Sequence, residues 1–315
     1  MNEHPDKGSV DNPQAIEMRA DLARRVARHT PADGKIATPI PGLCLYRRSA
    51  PTDCMSVNYE PELVIFVQGE KHINVGGRTL VCNGSSFLLT SVDMPVVSQV
   101  TKASREKPIL GMTFKLEMPV VREILAQHEF HLSVESNAAR AIAVGVTSEE
   151  LLRPCLRLMD LLDAPEDIPF LAGLVQREIL YRLLRGPLGE NLRAIATLGE
   201  QSHRTAKAVA WLRANYTKPL RVEELAGMAQ MGVSTLHHQF RTLTSMSPLQ
   251  YQKQLRLQVA RERMLNNGID AASAAFEVGY ESASQFNREY RRLFGTPPMR
   301  DVKTRLTAGT IATND

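Results

Sequence analysis

The sequence predicts an α+β chain of two domains, a β-barrel or sandwich carrying helices followed by an all-α module. Three observations predict it. Residues 36–117 break into short apolar runs bounded by Gly, Asn, Asp and Pro, the texture of an antiparallel barrel or sandwich. Residues 205–306 read as almost wholly helical, and one helix-turn-helix pattern occurs in them twice. At 315 residues the chain is long enough for two separate cores.

Bulk composition excludes several classes. The 43% hydrophobic and 23% charged content is that of an ordinary globular protein. No apolar run reaches the roughly 18 residues of a membrane span. The opening MNEHPDKGSVDNPQ lacks a basic segment followed by an apolar stretch, so the expectation is a cytoplasmic protein without a signal peptide. Cys44, Cys54, Cys82 and Cys155 are widely spaced and form no C-x-x-C pair, which reads as idle thiols in a reducing compartment, with a redox sensor as the alternative. Net charge is divided unevenly. Residues 201–315 hold 16 basic and 9 acidic side chains, a balance of +7, and the remainder of the chain carries −3. Positive charge gathered in one domain suits a polyanion-binding module.

In chain order, QAIEMRADLARRVARH at 14–29 has helical apolar spacing, and TPADG at 30–34 breaks it. The strand-like runs follow, among them LCLYRRSA, LVIFVQGEKHINVGG and GSSFLLTSV. After Pro119 the texture is helical again, in VVREILAQ, SEELLRPCLRLMDLL and PFLAGLVQREILYRLLRG. Asp167-Ile168-Pro169 separates the last two, and Gly186-Pro187-Leu188-Gly189 ends the last. The expected boundaries are an N-terminal extension with a short helix at 1–35, a first domain at 36–190 and a linker at 191–204. A helical module at 205–306 and a tail at 307–315 complete the chain.

The functional signal lies in the module. In VEELAGMAQMGVSTLHHQFRTLT (222–244), Leu225, Ala226 and Ala229 line one face of a first helix, and a break falls at Gln230–Gly232. Val233, Leu236 and Phe240 line the inner face of a second helix, leaving Ser234, Thr235, His237, His238 and Arg241 outward. Residues 270–294 repeat the plan: Ala274, Ala275, Phe276 and Val278, a turn at Gly279, then an inner stripe of Phe286, Tyr290 and Leu293. Ser284, Gln285, Asn287, Arg288 and Arg291 face outward, and Arg, Gln and Asn are the types that read guanine and adenine edges. PLQYQKQLRLQVARERMLNNG between the copies is one uninterrupted helix from Pro248 to Gly268. It spans about 28 Å, close to the roughly 34–36 Å between successive major-groove faces.

These stretches resemble the DNA-binding module of the AraC/XylS family of bacterial regulators, most specifically in A-x-x-V-G-Y-x-S-x-S-x-F-x-R-x-Y-x-x-x-F-G from Ala275 to Gly295. The resemblance implies a seven-helix module with each motif in one major groove. It implies base-reading roles for Ser234, His237 and His238 in the first motif, and for Ser284, Gln285, Asn287 and Arg288 in the second. Surface contact to phosphate is the alternative for the two histidines. Gly232 stands where the family often has a capping Ser, which Gly replaces at little loss. Asp301-Val302 replaces a frequent Tyr-Arg pair, which puts a role for those two positions in doubt.

Residues 38–185 resemble the N-terminal domain of AraC-type regulators, a cupin-like β-barrel, through YRRSAPTDCMSVNYEPELVIFVQGEKHINVGGRTL and FLLTSVDMPVVSQV. That implies a sensory or dimer-forming role, with a small molecule inside the barrel. A cupin-type enzyme would need clustered His and Glu ligands. Residues 36–117 contain only His72, with His128 and His131 just beyond, so no metal, cofactor or catalytic residue is expected. The pocket candidates are Tyr46, Arg47, Tyr59, Phe66 and His72. Arg47 and Arg48 are adjacent on a strand, so at most one faces inward. The leucine stripes at Leu151, Leu152, Leu156, Leu158, Leu161 and Leu162 either pack on the barrel or form a dimer interface.

The expectation is thus a sequence-specific DNA-binding transcriptional regulator, an activator by resemblance, controlled by a small-molecule effector. Its partners would be promoter DNA and RNA polymerase, with a homodimer as a further expectation. The alternative keeps DNA binding and gives the N-terminal domain only dimerisation or a partner protein.

Overall fold

The computed structural model describes residues 2–3, 13–128, 130 and 139–311; His131 lies outside them. Strands β1 (Asn2–Glu3), β4 (Met55–Tyr59), β6 (Glu70–Val75), β7 (Arg78–Asn83) and β9 (Met94–Lys102) form one sheet, ordered β1-β7-β6-β9-β4. A second sheet is ordered β11-β8-β5-β10-β3-β2. It contains β2 (Gly34–Ala37), β3 (Leu43–Arg48), β5 (Glu62–Gln68), β8 (Ser86–Thr90), β10 (Ile109–Lys115) and β11 (Ile142–Val146). Among the described residues, all strand pairings are antiparallel except β1 with β7.

Strand parity explains the layers. Phe66, Leu88 and Ile109 of the second sheet meet Ile73, Val75, Leu80, Cys82, Val96 and Val100 of the first in the barrel interior. The opposite face of the second sheet, with Leu43, Leu45, Leu63, Ile65, Leu110, Met112 and Phe114, belongs to another core. Helices α1 (Pro13–His29), α3 (Glu149–Asp163) and α4 (Ile168–Arg185) cover it. Burial on both faces is why β5, β8 and β10 read as nearly unbroken apolar runs rather than alternating ones.

Three features go beyond what the sequence shows. The N-terminal helix is no appendage: Leu22 and Val26 are fully buried, each contributing about 1.5–3 kcal/mol of burial, and Arg25 and Arg28 pair with Asp160 and Asp163 of α3. The chain after α2 (Met118–Gln127) returns to the sheet as β11, a five-residue strand too short to announce itself among helical neighbours. The expected linker holds α5 (Gly189–Ala196) and the start of α6 (Gln201–Ala214), with Leu192, Ile195 and Ala196 buried.

The C-terminal module adds α7 (Val222–Met228), α8 (Val233–Thr244), α9 (Pro248–Asn267), α10 (Ala271–Glu277), α11 (Ala283–Phe294) and α12 (Pro298–Ile311). Its last helix runs beyond 306. The core of the first motif is continuous with the barrel interior: Leu225, Leu236, Phe240, Tyr251 and Leu255 share a cluster with Phe66, Ile73 and Val96. The second motif has its own core of Leu257, Ala260, Met264, Ala274, Val278, Phe286 and Tyr290. Helix α9 therefore belongs to both, its first half to the barrel side and its second half to the outer motif.

One face of α9 is stitched to the first sheet. The Tyr251 hydroxyl donates to Asp93 O at 2.7 Å, and Gln254 Nε2 to Pro95 O at 3.3 Å. Gln258 Nε2 donates to Ser56 Oγ at 2.7 Å and to Val57 O and Val96 O, both at 3.3 Å. Positions 251, 254 and 258 follow helical spacing. At the other end of the sheet the β6–β7 turn meets the end of α8. A side chain at Gly76 (φ +57°) would lie 2.3 Å from Ser245 O, so only glycine lets the two backbones approach.

Candidate nucleic-acid interface

The two motifs are built alike. In the first, Met231 N donates to Ala226 O at 2.9 Å; in the second, Tyr280 N donates to Ala275 O at 2.9 Å. Each turn passes through one left-handed residue, Gln230 (φ 53°) and Gly279 (φ 91°). The first turn is one residue shorter, so Gly232 follows Met231 directly as the N-cap of α8. Ser282 caps α11 and accepts from Gln285 N at 3.3 Å. Helix α9 carries a full capping box, Ser247 with Gln250, and ends on left-handed Gly268. Its 20 residues span about 30 Å.

Leu236, Phe240 and Leu243 anchor α8, while Phe286 and Tyr290 anchor α11. Two residues assigned inward from sequence lie outside: Val233 is 38% exposed and Phe276 58%. Val233 opens the first turn of α8, before the helix reaches its neighbour, and Phe276 stands off the Ala274–Ala275 contact face. Leu293 is half-buried.

All ten outward candidates are exposed: Ser234, Thr235, His237, His238 and Arg241 on α8, and Ser284, Gln285, Asn287, Arg288 and Arg291 on α11. Gln285 Nε2 donates to Glu289 Oε1 at 3.1 Å. Glu289 also holds Lys253 at 2.6 Å and the Tyr280 hydroxyl at 2.8 Å. Burial alone would raise the Glu289 carboxyl, yet these three donors hold it below the ordinary carboxylate range. Several other arginines of the module are committed. Arg256 donates to Tyr216 O, Gly279 O, Thr217 O and Lys218 O, clamping the second turn to the loop before α7. Arg263 pairs with Glu277 at 2.6 Å. Arg261 and Arg305 both hold Asp301.

Arg241, Arg288, Arg291 and Arg292 differ. Their side chains make no hydrogen bond or ion pair among the described residues, and all four are exposed on the two recognition helices. Arg292 escaped the sequence reading, as did Lys253; with Arg241 they line a cleft of about 460 Å³ where α8, α9 and α11 meet. Four uncommitted guanidiniums on adjacent helix faces are suited to phosphate oxygens or guanine edges.

Asp301, which the sequence marked only as a departure from the family pattern, is buried and bonded. It is 8% exposed and accepts from Arg261 Nε at 2.7 Å, Arg261 Nη2 at 2.8 Å and the Tyr290 hydroxyl at 2.8 Å. Val302 is 6% exposed in the core of the outer motif. The departure from the family pattern at these two positions is therefore a built anchor tying α12 to α9 and α11.

In the barrel the five pocket candidates separate. Tyr46 and Tyr59 converge on Lys71, whose Nζ lies 5.6 and 5.4 Å from their ring centroids. Phe66 is buried in the interior core. Arg47 points to the opposite face, donating to Thr30 O at 3.2 Å beside Asp33. His72 lies on the face opposite Ile73 and meets Glu70 at 3.2 Å. Of the adjacent arginines, Arg48 shares the inward face of β3 with Tyr46 and pairs in register with buried Ile109. Cys82 and Cys155 are buried, and burial pushes both thiols up to about 12, which makes them poor nucleophiles.

Two family models match the chain: the AraC-type transcriptional regulator N-terminus over residues 39–191 and a helix-turn-helix domain over residues 225–303. The regulator ExsA of Pseudomonas aeruginosa is 26% identical over 158 residues, half of this chain and 56% of that protein. The activator RhaS of Yersinia pestis is 29% identical over 107 residues, 34% of this chain and 39% of that protein. The chain thus spans 39–56% of the length of these curated relatives. A solved structure of ToxT from Vibrio cholerae superposes with a TM-score of 0.53 at 13% identity, over 82% of this chain and 97% of that one. That likeness concerns the two-domain fold.

Proposed function

The chain belongs to the AraC/XylS family of transcriptional regulators, and from that premise we propose that it binds promoter DNA sequence-specifically, with α8 and α11 entering adjacent major grooves. The observation that carries this reading is the set of four uncommitted arginines on the two exposed recognition faces, in a module whose other arginines are largely tied down. DNA contacts are assigned to Ser234, Thr235, His237, His238, Arg241, Ser284, Gln285, Asn287, Arg288 and Arg291, with base reading by Ser234, His237, His238, Ser284, Gln285, Asn287 and Arg288. A small molecule in the N-terminal barrel controls binding, through the interface that α9 makes with β4 and β9. Activation by way of RNA polymerase, a cytoplasmic location and the absence of catalysis are parts of the same proposal. No helix among the described residues is long and apolar enough to cross a membrane.

One observation favours the alternative role for the N-terminal domain. Phe170 and Leu174 of α4 are 77% and 57% exposed, an apolar face suited to self-association or a partner protein.

The test is a mobility shift with the DNA upstream of the coding sequence against a scrambled duplex, at two salt concentrations. Specific binding that survives moderate salt is expected. Equal and salt-labile binding to both would reduce the interface to phosphate contact.

A further inference from the structure

Gln285 stands apart from the other assigned base readers. Ser234, His237, His238, Ser284, Asn287 and Arg288 make no side-chain hydrogen bond among the described residues. Gln285 is also exposed on α11, yet its Nε2 is engaged with Glu289 Oε1 at 3.1 Å, one helical turn on. On a bare helix surface such a pair would be mobile and contribute little. Here the acceptor is fixed from two other elements. Lys253 Nζ of α9 reaches the same Oε1 at 2.6 Å, and the hydroxyl of Tyr280, in the turn before α11, reaches Oε2 at 2.8 Å. Tyr280 is itself 5% exposed, its ring edge-on to Phe286 with centroids 5.3 Å apart.

The chemistry of the acceptor dictates the direction of the amide. Burial favours a protonated Glu289, but the bonds from Lys253, Gln285 and Tyr280 outweigh it and keep the carboxylate charged. An ionised carboxylate only accepts. A reversed Gln285 would set its carbonyl oxygen against a carboxylate oxygen, acceptor against acceptor. The amide nitrogen therefore faces Glu289, and one of its two N–H groups is used there. The carbonyl oxygen and one N–H remain for the major groove. Adenine matches that remainder, since its N6 donates and its N7 accepts. Guanine offers acceptors at both O6 and N7, which suits the two N–H groups of a free glutamine and not the single one left. Thymine O4 also only accepts.

We propose that Glu289 is a positioning residue that sets the Gln285 amide to read adenine, with Lys253 and Tyr280 holding Glu289 in place. The assignment rests on the regulator reading above and adds to it a source of base preference outside the contact surface. Lys253 belongs to α9 and Tyr280 to the turn at Gly279, so the direction of one amide on α11 depends on how three elements pack.

The test titrates the full chain against duplexes that carry each of the four bases in turn at every position of the upstream site. Gln285→Ala identifies the position that Gln285 reads, as the one whose preference it flattens. There the unaltered chain should favour adenine over guanine by about tenfold. Glu289→Met keeps side-chain length and helix propensity without a carboxylate, and should cut that ratio to under about twofold. The positions read by Asn287 and Arg288 should keep their preferences. Glu289→Gln should retain the ratio, because Lys253, a donor only, holds the new amide oxygen where the carboxylate oxygen stood. If Glu289→Met fails to fold, Tyr280→Phe combined with it removes the stranded hydroxyl together with its acceptor and repeats the reading. An adenine preference that survives without Glu289, or guanine preferred by the unaltered chain, would overturn the assignment and leave the regulator standing. So would a Gln285→Ala variant that weakens all duplexes alike, or a Glu289→Met variant that flattens every α11 position together. Equal binding of the unaltered chain to upstream and scrambled DNA would instead remove sequence reading itself, and this inference with it.

Discussion

Removing the Asp301 carboxylate should unfold the outer motif selectively. In Asp301→Ala the Arg261 guanidinium keeps its place in the core without its partner. The two side chains are 6% and 10% exposed, and the pair is bidentate, at 2.7 and 2.8 Å. Breaking such a buried pair from one side costs about 3–5 kcal/mol, because a charge is left uncompensated. The buried Tyr290 hydroxyl also loses its acceptor, which adds about 1 kcal/mol. The half-exposed Arg305 contact contributes little. The expected loss is about 4–6 kcal/mol, a large fraction of a domain's usual 5–15 kcal/mol. Because the outer motif has a separate core, the damage should stay within α10, α11 and α12. Guanidinium denaturation with hydrogen exchange reads both size and location. pH supplies an internal check. Burial alone would raise the Asp301 carboxyl, but Arg261, Tyr290 and Arg305 hold it below its ordinary value. A lowered folded value adds stability above the unfolded one, about 3.9, and that stability is lost as pH falls through the folded value. The gap between native chain and variant should therefore narrow below about pH 4. A loss under about 1 kcal/mol, or one spread evenly over the barrel, would refute the anchor.

Other substitutions test single features. Gly279→Ala puts a methyl 2.1 Å from Thr217 O at φ +91° and should cost more than about 2 kcal/mol in thermal unfolding; a variant as stable as the native chain would contradict the turn. Gly232→Ser places an acceptor at an open N-cap position and should add a few tenths of a kcal/mol, with no change in barrel stability. Arg288→Ala should weaken specific DNA binding by about 1–3 kcal/mol and relax one operator position. Uniform weakening across sequences would make that arginine a phosphate contact.

What the sequence made legible follows the kind of signal each element carries. The paired motifs and α9 were readable because apolar residues recur at helical spacing between a capping Pro and a left-handed Gly. Parity on β3 was readable too, since adjacent arginines must face opposite ways; it did not say that Arg48 and not Arg47 faces inward. That choice depends on which face of the second sheet α1 covers, a tertiary fact. Lys71 went unnoticed because lysine on a strand ordinarily marks solvent, and only the opposing sheet places Tyr59 beside Tyr46. The stitching of α9 to the barrel was hidden for a similar reason: its contact stripe includes the polar Gln254 and Gln258, which add nothing to the apolar periodicity. Asp301 read as a departure because its partner Arg261 lies 40 residues away on another helix. Gln230 likewise carries a left-handed turn that composition assigns to glycine.

The central claim, two recognition helices in adjacent grooves, is tested most directly by hydroxyl-radical footprinting of the chain on its upstream DNA. The prediction is two protected patches on one face of the duplex, separated by about one helical turn. The patch nearer α11 should disappear in Asp301→Ala and the other should remain. A single patch, or equal protection of scrambled DNA, would contradict it.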